Sequence, residues 1–223
     1  MTITELGIIT ASNGLALTDG QLGKLSDYAG LLRAKNQVVN LISRKDEENI
    51  LSKHLLHSLT LVLPKVTLAG IGQGSRVFDL GTGGGLPGIP LKIARPDLSL
   101  LLCDSILKKI TAVSEMVRDL GLSTISAITD RAENLATRSE HKQRYDYVVT
   151  RAVAPLDELA QWSRGLLKPK GILLCLKGGD LRSEMEQAQR LKFITSVEEA
   201  NLTLEGFDEF LQEEKKIVRV TMV

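Results

Sequence analysis

One short segment constrains the fold more than any other part of the chain. Residues 78–90 read FDLGTGGGLPGIP, with five glycines inside eight residues directly after a short apolar run. Glycine permits backbone conformations of positive φ and lets a ligand approach bare backbone. In an open α/β sheet, such a turn after the first strand lies in the crevice where ligands bind. The segment therefore predicts a ligand-binding turn between a strand and a helix.

The residues after this segment alternate between strand and helix patterns. Apolar runs predict strands at 76–80, 98–103, 124–129, 145–150, 171–176, 193–204 and 216–222. Helical periodicity falls between them, at 106–120 and 156–167. This alternation favours an α/β fold with a doubly wound, mostly parallel, Rossmann-like sheet of seven strands.

The beginning of the chain has a helical pattern instead. Thr18 and Asp19 can cap a helix with apolar positions over 22–32, and a second helix is expected from about 46 to 63. The turn-forming string GIGQGS at 70–75 separates this region from the strands. We therefore expect a helical N-terminal extension over 1–74 and an α/β domain over 75–223.

The composition is that of a globular protein and does not by itself indicate a partner. Hydrophobic residues make up 43% and charged residues 25%, and the net charge of +1 neither indicates nor excludes a nucleic-acid binder. No apolar run reaches the ~18 residues of a membrane span, and the N-terminus lacks the basic head of a secretory signal, so we expect a cytoplasmic protein. Cys103 and Cys175 are expected to be buried thiols. His54 and His57 have no third ligand nearby, so no metal site is expected.

The glycine-rich segment leaves two classes of ligand open. Residues 83–88 match the dinucleotide pattern G-x-G-x-x-G, which would favour NAD. Pro87 and Pro90, however, lack the N–H groups that should hold a pyrophosphate. Asp79 would repel a pyrophosphate but attract a sulfonium cation, so both features favour S-adenosyl-L-methionine. The donor-binding residues expected in this turn are Asp79, Gly81, Gly83 and Gly85.

Two further segments extend the predicted ligand site. Asp104 ends the second strand, where a carboxylate can accept hydrogen bonds from both ribose hydroxyls or cap the following helix. Residues 130–133, DRAE, follow the third strand, where an adenine ring would lie. Ala132 could offer its backbone N–H and Glu133 could accept from the exocyclic amine, although an ordinary helix start explains the same residues.

The residues after the fourth and fifth strands indicate the methyl acceptor. Arg151 and Lys177 stand there, while no proline follows Asn or Asp and no cysteine follows proline. The loops typical of exocyclic-amine and pyrimidine-C5 methylation are therefore missing. Cationic side chains suit an electron-rich acceptor such as guanine N7, which carries no proton and needs only in-line placement. Surface salt bridging is the alternative reading of both side chains.

Together, these motifs resemble a known family. The string DLGTGGGLPGIPL beginning at 79 is followed by RPD at 95–97, RAE at 131–133, TRA at 150–152 and LKG at 176–178. This pattern is similar to the bacterial small-subunit ribosomal RNA guanine-N7 methyltransferases, also called the glucose-inhibited division protein B family. The likeness extends over roughly residues 20–220.

The resemblance implies a class I S-adenosylmethionine-dependent methyltransferase fold. It implies methyl transfer to N7 of a 16S ribosomal RNA guanine, the one conventionally numbered 527, leaving S-adenosyl-L-homocysteine. The substrate would be 16S rRNA within the small ribosomal subunit or a precursor, and we expect a monomer. The donor-binding positions implied are Gly81, Leu86, Asp104, Ala132, Glu133 and Arg151. The positions implied to serve the RNA or the reacting base are Asn40, His54, Arg131 and Lys177, with Arg151 also counted as catalytic.

Other functions remain open at this point. A small-molecule methyltransferase on the same scaffold is the main alternative, because the charge is even. An NAD-dependent protein is opposed by Pro87, Pro90 and Asp79. A non-catalytic RNA-binding module would show an RNA affinity that the methyl donor does not change.

Overall fold

A single seven-stranded sheet organises the protein, whose computed structural model describes residues 1–151 and 153–223. The strands are β1 (Arg76–Leu80), β2 (Ser99–Asp104), β3 (Ile125–Thr129), β4 (Tyr145–Arg151), β5 (Leu167–Gly178), β6 (Ile194–Asn201) and β7 (Lys215–Met222). Their order across the sheet is β3-β2-β1-β4-β5-β7-β6. The first five are parallel, whereas β7 is antiparallel to both β5 and β6. The predicted fold class is confirmed.

Helices cover the sheet; those predicted after Thr18 and over 106–120 are present, and several others were not predicted from the sequence. The helices are α1 (Ile3–Ser12), α2 (Asp19–Asn36), α3 (His57–Leu59), α4 (Gly88–Ala94), α5 (Leu107–Asp119), α6 (Ala132–Leu135), α7 (Leu156–Arg164), α8 (Arg182–Gln189) and α9 (Glu209–Gln212). The helix predicted to reach 167 ends earlier because β5 begins at Leu167. A register shift between β4 and β5, with Lys170 at φ 65°, accommodates Pro169 inside this longer strand.

The helix predicted over 46–63 is an irregular one. Arg44–Asn49 is a 3₁₀-helix, Ile50–Leu56 is π-helical, α3 follows, and Thr60–Val62 is again 3₁₀. The first 3₁₀-helix buries no side chain, whereas every residue from His57 to Val62 is buried. We call residues 44–62 the irregular helix. π-helical turns occur frequently at functional sites.

The N-terminal region shares a hydrophobic core with one face of the sheet. Leu6, Leu25 and Leu56 belong to the same buried cluster as Leu102 and Leu174 of the strands. A second cluster covers the opposite face, packed under α7 and α8. Residues 1–74 are therefore held against the sheet by burial of apolar surface, the main favourable contribution to folding. Within the described residues, no helix is long and apolar enough to cross a membrane.

Candidate functional site

A cavity opens at the carboxyl ends of the parallel strands. Its volume is about 590 Å³, within the range of small-molecule sites. The sheet supplies its floor, and the irregular helix lies across from the glycine turn. The sequence-predicted residues that line it are His54, Gly81, Gly83, Leu86, Asp104, Arg131, Ala132, Glu133 and Arg151. Asn40, Asp79, Gly85 and Lys177 are not among the lining residues.

Most N–H groups of the glycine turn already donate hydrogen bonds, either to β2 or within the turn itself. The amides of Gly81 and Thr82 both donate to the carbonyl of Cys103 at 2.9 Å, and those of Gly85 and Leu86 donate to Thr82 at 2.9 and 2.8 Å. Gly81 has φ 71°, and a Cβ there would lie 2.5 Å from a methyl of Val153. Glycine is therefore required at 81 both for its backbone and for the close approach of Val153.

Asp79 holds this turn from behind rather than facing the cavity. It is fully buried, and its Oδ2 accepts hydrogen bonds from Thr82 Oγ1 at 2.6 Å and from the Gly88 amide at 2.8 Å. Oδ1 has no partner among the described residues. Burial raises the pKa of Asp79 to about 7, although both hydrogen bonds oppose the shift.

These contacts make the turn a poor pyrophosphate site. The Gly88 amide begins α4, which is where a dinucleotide phosphate would bind, and Asp79 already accepts its hydrogen bond. Five of the turn's amides, from Gly81 to Leu86, are likewise engaged. A ligand with a positive charge and no phosphate fits this wall better than NAD does.

Asp104 joins the glycine turn to the residues that precede α5. Its Oδ1 accepts from the Ile106 amide at 3.0 Å, next to the start of α5, and its Oδ2 accepts from the Gly83 amide at 3.1 Å. Lys109 Nζ lies 3.8 Å from the same Oδ2. A carboxylate can accept about four hydrogen bonds, so Asp104 retains capacity for two ribose hydroxyls.

The far end of the cavity is built by β3, α6 and α7. Asp130 is fixed by the Arg131 amide at 2.7 Å, by Asn134 Nδ2 at 3.0 Å and by an ion pair with Arg138. Ala132 begins α6, so its N–H has no partner within the helix. Trp162 of α7 also lines this end, and no local sequence signal indicated it.

Two side chains, the half-buried Arg151 and the buried His54, line the cavity where β4 meets the irregular helix, and we call them the facing wall. Arg151 lines the cavity and donates from Nη1 to the carbonyl of Lys53 at 3.1 Å, which ties β4 to the irregular helix. Burial lowers its pKa. His54 is 6% exposed, and neither ring nitrogen has a hydrogen-bond partner among the described residues. Burial and Arg151 lower the pKa of His54 to about 3, so its ring is neutral at pH 7.

The second histidine of the predicted pair lies apart from the cavity. His57 is buried against Phe210, with ring centroids 5.2 Å apart, and does not line the site. Among the described residues, one acid forms a contact with His54: Asp46, whose Oδ2 lies 3.9 Å from Nε2. Across the described residues, no group of three or more potential metal ligands is found.

Asn40 and Lys177 occupy positions that the sequence could not reveal. Asn40 is exposed, and a different asparagine organises the rim: Asn36 Oδ1 accepts from the amides of Leu41 and Ile42 at 2.8 and 3.0 Å. Leu41 and Ile42 line the cavity and were missed because apolar rim residues resemble core residues. Lys177 turns towards α8 instead of the cavity, as described below.

Comparisons with known proteins identify the family. A model of the family described as rRNA small subunit methyltransferase G matches residues 21–211 of this chain. The chain belongs to this family. The resemblance noted from the motifs is thereby confirmed, although Ala152 of the TRA string lies outside the described residues.

Relatives in the methyltransferase G family cover most of the chain. The ribosomal RNA small subunit methyltransferase G of Chlorobium luteolum is 45% identical over 182 residues, covering 82% of this chain and 73% of the relative. The Bacteroides fragilis protein of the same name is 42% identical over 212 residues, covering 92% and 95%.

Solved structures share the fold at low sequence identity. The CurJ carbon methyltransferase matches with a TM-score of 0.60 at 15% identity, over 92% of this chain and 67% of that chain. A mutant of MtNAS in complex with S-adenosylmethionine matches with a TM-score of 0.57 at 15% identity, over 89% and 74%. At this identity the likeness establishes the fold alone.

Proposed function

We propose that this protein transfers a methyl group from S-adenosyl-L-methionine to N7 of a guanine in 16S ribosomal RNA, leaving S-adenosyl-L-homocysteine. The observation that carries the proposal is membership in the rRNA small subunit methyltransferase G family. The cavity supports it, because its donor side suits a phosphate-free cation and its facing wall presents Arg151 and a neutral His54.

The donor is held by the turn and the strand ends next to it. Asp104 accepts hydrogen bonds from the ribose hydroxyls. Ala132 donates its N–H to the adenine ring, and Glu133 accepts from the exocyclic amine. The methionine portion lies against the backbone at Gly81, Gly83 and Leu86. Asp79 and Gly85 act indirectly, by holding Thr82 and Gly88 in place. The negative charge of Asp79 behind the turn favours a sulfonium in front of it.

The acceptor base enters the cavity between the glycine turn and the irregular helix. The donor supplies an electrophilic methyl carbon; the N7 lone pair forms the new C–N bond as the C–S bond breaks. Guanine N7 carries no proton, so no general base is required, which agrees with a His54 that needs only to hydrogen bond. Arg151 is placed to donate to the guanine O6 and so to fix the angle of attack.

The RNA binds over the rim of the cavity, where Arg131 is exposed and Lys109 lies beside Asp104. Cationic side chains at these positions neutralise phosphates, although the net charge of the whole protein is only +1. Asn40, on the exposed rim next to Leu41, belongs to this surface. The protein acts in the cytoplasm as a monomer on the small ribosomal subunit or a precursor of it.

The first experiment is to incubate the protein with tritium-labelled S-adenosylmethionine and either unmodified 16S rRNA or small subunits, and to map the labelled nucleotide. Label at one guanine N7 would support the proposal, and the better of the two substrates would identify the natural form. Donor binding without label in any rRNA form would instead favour a small-molecule acceptor. Absence of donor binding would contradict the assignment of the glycine turn.

A further inference from the structure

The chain that follows Arg151 leads into α7, whose first residue, Leu156, is fully buried. Residues 153–156 connect β4 to α7, and Val153 lines the cavity against the glycine turn. Among the described residues, only two side chains hydrogen bond to the backbone of this segment. Lys177 Nζ donates to the carbonyl of Ala154 at 2.6 Å, and Glu184 Oε2 accepts from the Leu156 amide at 3.1 Å.

Glu184 supplies the cap that α7 lacks. The residue before this helix is Pro155, whose side chain cannot accept a hydrogen bond from the first free amides. The Glu184 carboxylate reaches across from α8 and accepts from the first of them, the Leu156 amide. A negative charge at the N-terminus of a helix also interacts favourably with the helix dipole.

The same carboxylate holds Lys177. Lys177 Nζ lies 2.6 Å from Glu184 Oε2, and their side chains are 11% and 32% exposed. A lysine so far removed from water requires a partner, because an unpaired buried charge is strongly unfavourable. Lys177, Glu184, the Ala154 carbonyl and the Leu156 amide therefore form one network joining β5, α8 and the segment.

We propose that Glu184 is a positioning residue for methyl transfer. Through Lys177 and the Leu156 amide it fixes segment 153–156, and with it Val153, which lines the cavity against Gly81. Glu184 and Lys177 contact neither the donor nor the base; Lys177 serves the reaction through the Ala154 carbonyl rather than by binding RNA. This inference rests on the proposed function and identifies how one wall of that same site is held.

The test is Glu184→Gln, which keeps an acceptor for the Leu156 amide but removes the charge that pairs with Lys177. Glu186→Gln is the matched control, since Glu186 is on the same helix, is exposed, and has no hydrogen bond or ion pair among the described residues. Methylation of 16S rRNA is measured per active site, with sites counted by S-adenosylhomocysteine binding. We expect kcat to fall about tenfold in Glu184→Gln and to stay within about twofold in Glu186→Gln.

The Kd for S-adenosylhomocysteine and the KM for RNA should change by less than about threefold in Glu184→Gln, because the donor and phosphate contacts lie elsewhere. A purely structural residue would lower the melting temperature and the number of active sites but leave kcat per site unchanged. That result would overturn the inference, and so would an unaltered kcat.

The reciprocal double variant Lys177→Glu with Glu184→Lys distinguishes the effect of the ion pair from the effect of the hydrogen bonds to the backbone of the segment. It restores opposite charges but turns a carboxylate towards the Ala154 carbonyl and an ammonium towards the Leu156 amide. We expect kcat to stay at least about tenfold low; full recovery of kcat would overturn the inference. If the wild-type protein labels no RNA, the proposed function fails and this inference with it, whereas active wild type with an unimpaired Glu184→Gln refutes the inference alone.

Discussion

The two walls of the cavity differ in how completely their polar groups are satisfied. On the donor side, five amides of the glycine turn donate hydrogen bonds to Thr82, Cys103 or Asp104, and Asp79 Oδ2 accepts two, although Asp79 Oδ1 has no partner among the described residues. On the facing side, neither ring nitrogen of His54 has a partner in the part of the chain that the structure describes, and Arg151 and Lys177 reach neighbouring backbone carbonyls with long side chains.

This difference separates a preformed wall from one that a substrate must complete. Buried polar groups are normally hydrogen bonded, and an unpaired one costs free energy until a partner arrives. Under the proposed function, the donor wall needs little change to bind its ligand, whereas the facing wall would gain the hydrogen bonds that His54 lacks when the base binds. Substitutions on the two walls should therefore affect different measurements.

Asp104→Ala should produce the largest effect, and on donor binding. The variant loses the ribose acceptors and also releases the Gly83 amide and the start of α5, so we expect a loss of about 1–3 kcal/mol, or roughly 5- to 150-fold in Kd. Isothermal titration with S-adenosylhomocysteine measures it. Asp119→Ala, at the exposed end of the same helix, is the control and should bind normally. An unchanged Kd in Asp104→Ala would remove the ribose role.

His54 should make the free energy of unfolding of the protein decrease at acidic pH. Its pKa falls from 6.5 unfolded to about 3 folded, so the folded state excludes a proton that the unfolded state binds. The stabilising contribution is complete above pH 6.5 and is lost as the pH falls towards 3. At pH 5 the wild type should therefore have lost about 2 kcal/mol that His54→Gln does not lose. Denaturant unfolding between pH 5 and 7 checks this, and parallel curves would contradict it.

Arg151→Lys should impair the reaction more than donor binding. Lysine keeps the charge but loses the planar fork that reaches the carbonyl of Lys53 while facing the cavity. We expect kcat to fall about tenfold, with the Kd for S-adenosylhomocysteine within about threefold. Arg118→Lys, at an exposed arginine, serves as the control. Equal losses in kcat and donor affinity would place Arg151 on the donor wall instead.

Asp79 should produce the smallest effect, seen only with a charged ligand. Its pKa of about 7 means that the carboxylate gains its negative charge as the pH rises from 6 to 8. Binding of the sulfonium donor should strengthen by about threefold over that range, because a nearby cation stabilises the carboxylate. S-adenosylhomocysteine carries no such charge and should show no trend. The same trend with both ligands, measured by titration at pH 6 and 8, would assign it to another group.

The sequence predicted what local chemistry determines. The strand–turn–helix at 76–94 and the end of β2 at Asp104 follow from glycines, apolar runs and a capping acid close together in the chain. The direction of Asp79 was not predictable in this way, because a strand residue two positions from a turn can face either side of the sheet. It faces the start of α4 and holds the turn from behind.

Contacts between residues far apart in the sequence could not be predicted from it. Lys177 belongs to the family motif, yet its partners are Ala154 and Glu184, which only the packing of α8 against the strand ends brings together. Trp162 lines the cavity without any motif around it. The irregular form of residues 44–62 was not predicted either, because the sequence pattern marks where a helix lies but not which hydrogen-bond period it adopts.

The position of β7 affects how the sheet comes apart. β6 precedes β7 in the chain but joins the sheet only through it, and β7 pairs with β5 in a register that sets Ile172 beside Thr221. Separating β7 from β5 therefore detaches both strands at once. Local opening should involve the two as one cooperative unit, so the amide protons of β6 should exchange with solvent no more slowly than those of β7.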